Sequence, residues 1–356
     1  MLAESEIAAL QAGCTRYVHW HGRQDAATLL ATIPPDTEVD RYGAGGVVAE
    51  LERTVATLLG KPAAVFLPSG TMGQQSVLRV HAERRAGKTV IFHPACHVDQ
   101  HEGRGYQRLH GLVGRPVGDR NRLLTLADLR NVAEPATALV LELPQRDLGG
   151  TQPPWPDLVA QTEWAREREI ACHLDGARLW ESAAGYGRAP SDVAALFDSV
   201  YVSFYKGLGA LPGCCIAADG DVVAQVREWR QRMGGTLFAL WPNAASALTC
   251  LRERLPRMPD YLAHAVRLAQ ELAGLDGVQV IPHLPQTSMF HLTLDVSADR
   301  FEDTVRRLAA KDKVWTWGRT WPGSTDRQQR VELTVGDATI ALPPEELRDI
   351  VSAFVE

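Results

Sequence analysis

The sequence predicts an α/β protein, with a large domain built on a mainly parallel sheet and a smaller C-terminal α+β domain. Three observations carry this expectation. Short apolar runs alternate with stretches of helical apolar spacing between about residues 41 and 244, and such alternation gives a mainly parallel sheet covered on both faces. Each apolar run ends in glycine or polar residues, as strands do where a loop begins. From about Ala245 the texture changes to a long helix followed by mixed strands and helices. The expected division is an N-terminal segment over 1–40, a large domain over 41–244 and a small one over 245–356.

The elements follow in chain order. A helix is predicted over Glu4–Gln11, then an irregular segment to Pro34-Pro35. Val48, Leu51, Val55, Leu58 and Leu59 have helical spacing, with Gly60 as the stop. Ala63–Leu67 leads into Ser69-Gly70-Thr71 and a helix, Thr89–Phe92 into His93 through His97, and Ala138–Leu143 into Gly149-Gly150. Ile170–Leu174 leads to Asp175, and Val200–Phe204 to Lys206. Beyond Ala245 come a helix over Tyr261–Gly274, strands at Val278–Ile281 and Met289–Leu294, and a helix over Ala298–Ala310. Strands at Val314–Trp317 and Val331–Val335 and a closing helix from Pro343 complete the chain. Ligands bind at the carboxyl ends of strands in such sheets. Ser69-Gly70-Thr71, His97, Asp175 and Lys206 are therefore expected to converge on one crevice.

Composition narrows the function classes. At 356 residues, 45% hydrophobic and 22% charged, the chain is an ordinary globular one. A net charge of −6 argues against nucleic acid or an anionic membrane as the main partner. No apolar stretch approaches the ~18 residues of a membrane span, and the acidic start, Met-Leu-Ala-Glu-Ser-Glu-Ile, is unlike a secretory signal. The six cysteines are scattered without a Cys-x-x-Cys pair, which suits reduced thiols in a cytoplasmic protein.

Only five of the 37 basic residues are lysines. A lysine inside an apolar segment therefore invites a chemical explanation, because lysine serves as a nucleophilic amine and arginine does not. Lys206, in Ser203-Phe204-Tyr205-Lys206-Gly207, follows a predicted buried strand. Desolvation pushes such an amine toward its neutral form, which can condense with an aldehyde; a lysine snorkelling from a strand end is the plain alternative. Asp175, in His173-Leu174-Asp175-Gly176-Ala177-Arg178, suits pairing with a protonated pyridine nitrogen, as pyridoxal phosphate chemistry needs. A structural Asp–Arg pair is the alternative. The 31 residues between acid and lysine fit one strand–helix–strand crossover. Ser69-Gly70-Thr71-Met72-Gly73, at a helix start, would supply an anion site of N–H groups, hydroxyls and helix dipole.

His93, His97 and His101 fall at i, i+4 and i+8, which raises a metal site as the rival. The glutamate of His-Glu-x-x-His is missing, since Val98 stands there, and Pro94 disfavours a helix through His93. No metal is expected; His97 stacking on a cofactor ring is the economical role, with His93 and His101 as bystanders or supporting groups. Neither Gly43-Ala44-Gly45-Gly46 nor Gly207 through Gly213 completes a dinucleotide fingerprint, and no Gly-x-Ser-x-Gly elbow occurs.

The ordered motifs resemble the low-specificity threonine aldolases and related β-eliminating lyases, which are fold-type-I pyridoxal phosphate enzymes. They run from Tyr42-Gly43 with Glu50-Leu51-Glu52, through Pro68-Ser69-Gly70-Thr71-Met72-Gly73, His97 with Glu102, and Glu142 before Gly149-Gly150. His173 to Leu179, Lys206 to Ala210, and Trp229-Arg230 before Gly234-Gly235 follow. The resemblance implies a fold-type-I, transferase-like architecture and pyridoxal 5'-phosphate as cofactor. Lys206 would bond its aldehyde, Asp175 face the ring nitrogen, and Ser69, Gly70 and Thr71 surround the phosphate. His97 would stack on the ring, and Arg178 would lie near the substrate carboxylate or the cofactor's phenolic oxygen. It also implies a homodimer or homotetramer.

The chain departs from the family at several points. The acidic pair after Tyr-Gly is Ala44-Gly45, and the opening Ser-Asp-Thr-Val-Thr signature is absent, with His19-Trp20-His21-Gly22-Arg23 in that region. The family's Asn-Thr-His-Asn is Leu143-Pro144-Gln145-Arg146, and Tyr205 stands in place of serine. Leu237-Phe238-Ala239 replaces the glycine-rich Met-Arg-Gln, and Arg330 is the nearest candidate for the carboxylate-binding arginine, one place out of register. The expected reaction is aldol cleavage of a β-hydroxy-α-amino acid to glycine and an aldehyde, with His97 through water or Glu102 helping with the hydroxyl proton. A β-elimination giving an α-keto acid and ammonia, a metal hydrolase on the histidine run, and a catalytically silent binding subunit are the alternatives.

Overall fold

A computed structural model describes residues 2–325 and 327–356. The chain divides into two compact units. One comprises Leu29–Leu148 with Gln152–Pro256, and the other Met1–Thr28, Gly149–Thr151 and Arg257–Glu356.

The larger unit is built on a seven-stranded sheet. Its strands are β1 (Ala63–Leu67), β2 (Thr89–Phe92), β3 (Val113–Pro116), β4 (Ala138–Glu142), β5 (Ala171–Gly176), β6 (Ser199–Ser203) and β7 (Cys214–Ala218). The order across the sheet is β1-β7-β6-β5-β4-β2-β3. The pairs β2–β3, β2–β4, β4–β5 and β5–β6 are parallel, while β7 runs antiparallel between β1 and β6. Strands covered on both faces read as continuous apolar runs rather than alternating ones. Every residue of β5, β6 and β7 is buried, and β5 and β6 were legible as apolar blocks for that reason.

Two strands of this sheet have no counterpart in the sequence expectation. β3 (Val-Gly-Arg-Pro) is an exposed edge strand with no apolar block to betray it. β7 is Cys-Cys-Ile-Ala-Ala, apolar but small, and it directly follows the glycine-rich run at 207–213. It packs on helix Gly220–Arg232 through Ile216 and Ala218, in a core with Val222, Val223 and Val226. Helix Trp241–Arg254 is likewise additional to the predicted elements and buries Ala244, Ala245, Leu248 and Leu251.

The smaller unit holds a four-stranded antiparallel sheet, with Gln329–Thr334 between Trp321–Pro322 and Met289–Leu294, and Val278–Ile281 at the far edge. Helix Met258–Leu272 packs against helix Pro344–Val355. The N-terminal pair Arg16–Tyr17 adds in parallel to Val314–Trp315. Among the described residues, no helix is long and apolar enough to cross a membrane.

Candidate active site

The carboxyl ends of the parallel strands bring together most of the residues singled out by sequence. β1 ends at Leu67, and Ser69 caps the 15-residue helix Gly70–Arg84. The Ser69 hydroxyl does not bond its own helix, and both Ser69 and Thr71 are exposed. The helix start thus presents hydroxyls and unpaired N–H groups at the positive end of a dipole, the chemistry of an anion site. Gly70 is required there by packing: a Cβ would lie 2.2 Å from the Tyr201 hydroxyl.

β4 and β5 carry two carboxyl groups side by side. Glu142 and Asp175 are register partners. One Asp175 oxygen accepts the Ala177 N–H at 3.2 Å; its other oxygen has no hydrogen-bond partner among the described residues. Glu142 accepts from the backbone N–H of His97 at 3.1 Å, from Arg146 N–H at 3.1 Å and from Gln145 Nε2 at 3.0 Å. Glu142 was quoted in the sequence only as part of a motif; its position at the last residue of a buried strand was the available signal.

Lys206 follows β6. Burial lowers its pKa, and the neighbouring charges act in both directions, with Asp175 and Glu142 raising it and Arg178 and Arg146 lowering it. The net shift is downward, toward the neutral form. Gly207 beside it is constrained by packing, since a Cβ would lie 2.0 Å from Oε1 of the buried Glu181. Arg178 Nη1 lies 3.8 Å from the same oxygen.

His97 begins the one-turn helix His97–Gln100. Its Nδ1 faces Glu102 Oε1 at 3.2 Å. Burial pulls its pKa down, but the Glu102 hydrogen bond and the charges of Asp175 and Glu102 more than offset this, so the pKa is raised overall. The other two histidines go elsewhere. His93 accepts Ala95 N–H at Nδ1 and donates from Nε2 to the carbonyls of Asp119 and Arg122, while His101 faces Asp147. Among the described residues, no group of three His, Cys, Asp or Glu side chains is placed to hold a metal ion. Pro94 breaks the periodicity that would have aligned the three rings. Arg330 lies in the smaller unit, on strand Gln329–Thr334, with its Nε buried and unpartnered.

An amine that desolvation draws toward neutrality, a carboxylate with an open oxygen and an uncapped helix start are the three contacts an aldehyde-bearing, phosphorylated pyridine requires. The residues present fit pyridoxal phosphate. The match to known proteins agrees: residues 27–296 match the family described as β-eliminating lyase. The chain belongs to the β-eliminating lyase family. Low-specificity L-threonine aldolase 1 of Arabidopsis thaliana is 28% identical over 77% of this chain and 79% of its own length. Aldolase vrtJ of Penicillium aethiopicum is 36% identical over 58% of this chain, a match spanning 55% of that relative. A solved structure of a "putative L-allo-threonine aldolase" from Listeria monocytogenes superposes with a TM-score of 0.91 at 34% identity, covering 98% of both chains. This family member has the fold-type-I architecture and is a pyridoxal phosphate-dependent lyase of the threonine aldolase type.

Proposed function

We propose that the enzyme cleaves the Cα–Cβ bond of β-hydroxy-α-amino acids, giving glycine and an aldehyde. The single observation that carries the reading is that Asp175 lies at the end of one strand and Lys206 follows its parallel neighbour, where burial lowers the pKa of the amine. The relatives named threonine aldolases supply the reaction type. Pyridoxal phosphate, when bound, supplies an electron sink for the pair released at Cα.

The chain's own groups divide the remaining work. Lys206 holds the cofactor by its aldehyde, and Ser69, Gly70 and Thr71 hold its phosphate. Asp175 keeps a proton on the ring nitrogen by ion pairing, and His97, steadied by Glu102, covers one ring face. Arg178, with Arg330 as a second candidate, fixes the substrate carboxylate and so selects which Cα bond breaks. We assign the active enzyme to the cytoplasm as a homodimer or homotetramer, in keeping with its charge and with the family resemblance.

The β-elimination reading is favoured by one observation, the family's own description. Incubating the purified holoenzyme with β-hydroxy and β-substituted amino acids, and assaying glycine against α-keto acid, separates the two. Glycine from a β-hydroxy substrate is the expected result; its absence across the panel excludes aldol cleavage.

A further inference from the structure

His101 was expected to be a bystander or a supporting group, yet it carries the geometry of a base. Its ring centroid lies 5.2 Å from that of His97, inclined by 41°. Its Nε2 lies 3.3 and 3.4 Å from the two carboxylate oxygens of Asp147. An ionised carboxylate only accepts, so the neutral ring carries its proton on Nε2 and leaves the lone pair on Nδ1. His97 is the complementary case, since Glu102 engages its Nδ1. Two carboxylate-oriented imidazoles therefore stand side by side.

Their surroundings differ. The Glu102 side chain is 2% exposed and that of His97 30%, whereas His101 is 39% and Asp147 25% exposed. His101 is the more open of the two rings. Asp147 is placed by the short turn Arg146–Leu148, whose first N–H bonds Glu142, and Arg146 Nη1 lies 3.7 Å from the Asp147 carboxylate. The turn thus ties the orienting acid to the Glu142–Asp175 pair. This chain also has Gln145 within Leu143-Pro144-Gln145-Arg146, where the resembling family carries a histidine in Asn-Thr-His-Asn. An imidazole missing from one segment is present on another.

We propose that His101, oriented by Asp147, is the base that takes the substrate's β-hydroxyl proton at Nδ1, directly or through one water. The proposal rests on the aldol-cleavage reading and names its proton acceptor. The O–H proton passes to Nδ1, giving an imidazolium held by the Asp147 carboxylate. The freed O–H pair becomes the second C–O bond of the aldehyde as Cα–Cβ breaks. The Cα–Cβ pair stays on the Cα side, where a proton returned from the imidazolium through water completes glycine. No net proton and no oxidant are involved, and His97 is left to cover the ring.

The test compares two rates in the holoenzyme: glycine formation from β-hydroxy amino acids, and exchange of glycine's own α-proton in D2O followed by proton NMR. Exchange needs the cofactor and Lys206 but no hydroxyl base. In His101→Gln the ratio of cleavage to exchange should fall by about 10²-fold or more, the usual worth of a positioned base. Asp147→Asn should move it the same way, and added imidazole should restore part of the loss in His101→Ala. Independently of turnover, 15N imidazole shifts of the cofactor-free protein should show His101 protonated on Nε2, with that preference lost in Asp147→Asn. An unchanged ratio in His101→Gln, an equal loss of both rates, or an Nδ1–H ring in the wild type overturns the proposal while leaving aldol cleavage standing. A wild type that exchanges glycine yet cleaves no β-hydroxy substrate overturns the aldol reading, and this proposal with it.

Discussion

Glu142 and Asp175 are neighbours in register at the carboxyl ends of two parallel strands, so a half-buried and a fully buried carboxyl group share one location. Burial first, and then the Asp175 charge, push the Glu142 carboxyl up to about 7, against the N–H groups of Arg146 and His97 and the His97 charge. The neighbourhood therefore favours one negative charge over two. A protonated Glu142 leaves Asp175 as the anion available to a cofactor nitrogen.

Stability should record this pair. A carboxyl raised from 4.5 to about 7 binds more protons folded than unfolded between those values. Its contribution is complete below pH 4.5 and is lost as pH rises through about 7. Wild type should therefore lose more urea resistance between pH 4.5 and 8 than Glu142→Gln does, by at most a few kcal/mol at ~1.4 kcal/mol per unit. Parallel pH profiles for the two proteins would contradict it.

Replacing Lys206 by alanine removes the amine proposed to bond the cofactor. Turnover should drop by on the order of 10⁴-fold or more, as when other covalent catalytic groups are deleted. Borohydride should fix a vitamin B6 adduct at residue 206 in the wild type and not in the variant, as read by peptide mass. Far-ultraviolet circular dichroism should not change.

Asp175→Asn keeps the size of the side chain and removes its charge. A buried charge pair broken on one side costs about 3–5 kcal/mol, equivalent to roughly 10²–10⁴ in kcat if that stabilisation is used in the transition state. Cofactor should remain bound through Lys206 and the phosphate site. A variant with full kcat would remove the ion pair from the reading.

Gly207→Ala tests packing beside the lysine. The added methyl would meet Glu181, whose side chain has no exposure, and overpacking of this kind costs about 1–3 kcal/mol. Thermal denaturation should show a lowered midpoint, together with weakened cofactor binding as Glu181 shifts near Arg178. Gly220→Ala is the control, since nothing lies within 4 Å of its added carbon.

The sequence by itself determined β1, β2, β4, β5 and β6, because burial leaves each as a mostly apolar block that ends in glycine or polar residues. It also marked the polar residues that end those blocks, since the chain has few lysines and Asp175 and Lys206 each follow such a run. Tertiary structure decided what no local pattern encodes. The exposed edge strand β3 and the small-residue strand β7 are strands because their neighbours pair with them. Glu142 meets Asp175 only through strand register, and Asp147 reaches His101 across 46 residues of sequence. Such groups act on one another through distance and dielectric, and both are set when the sheet forms rather than by the order of residues.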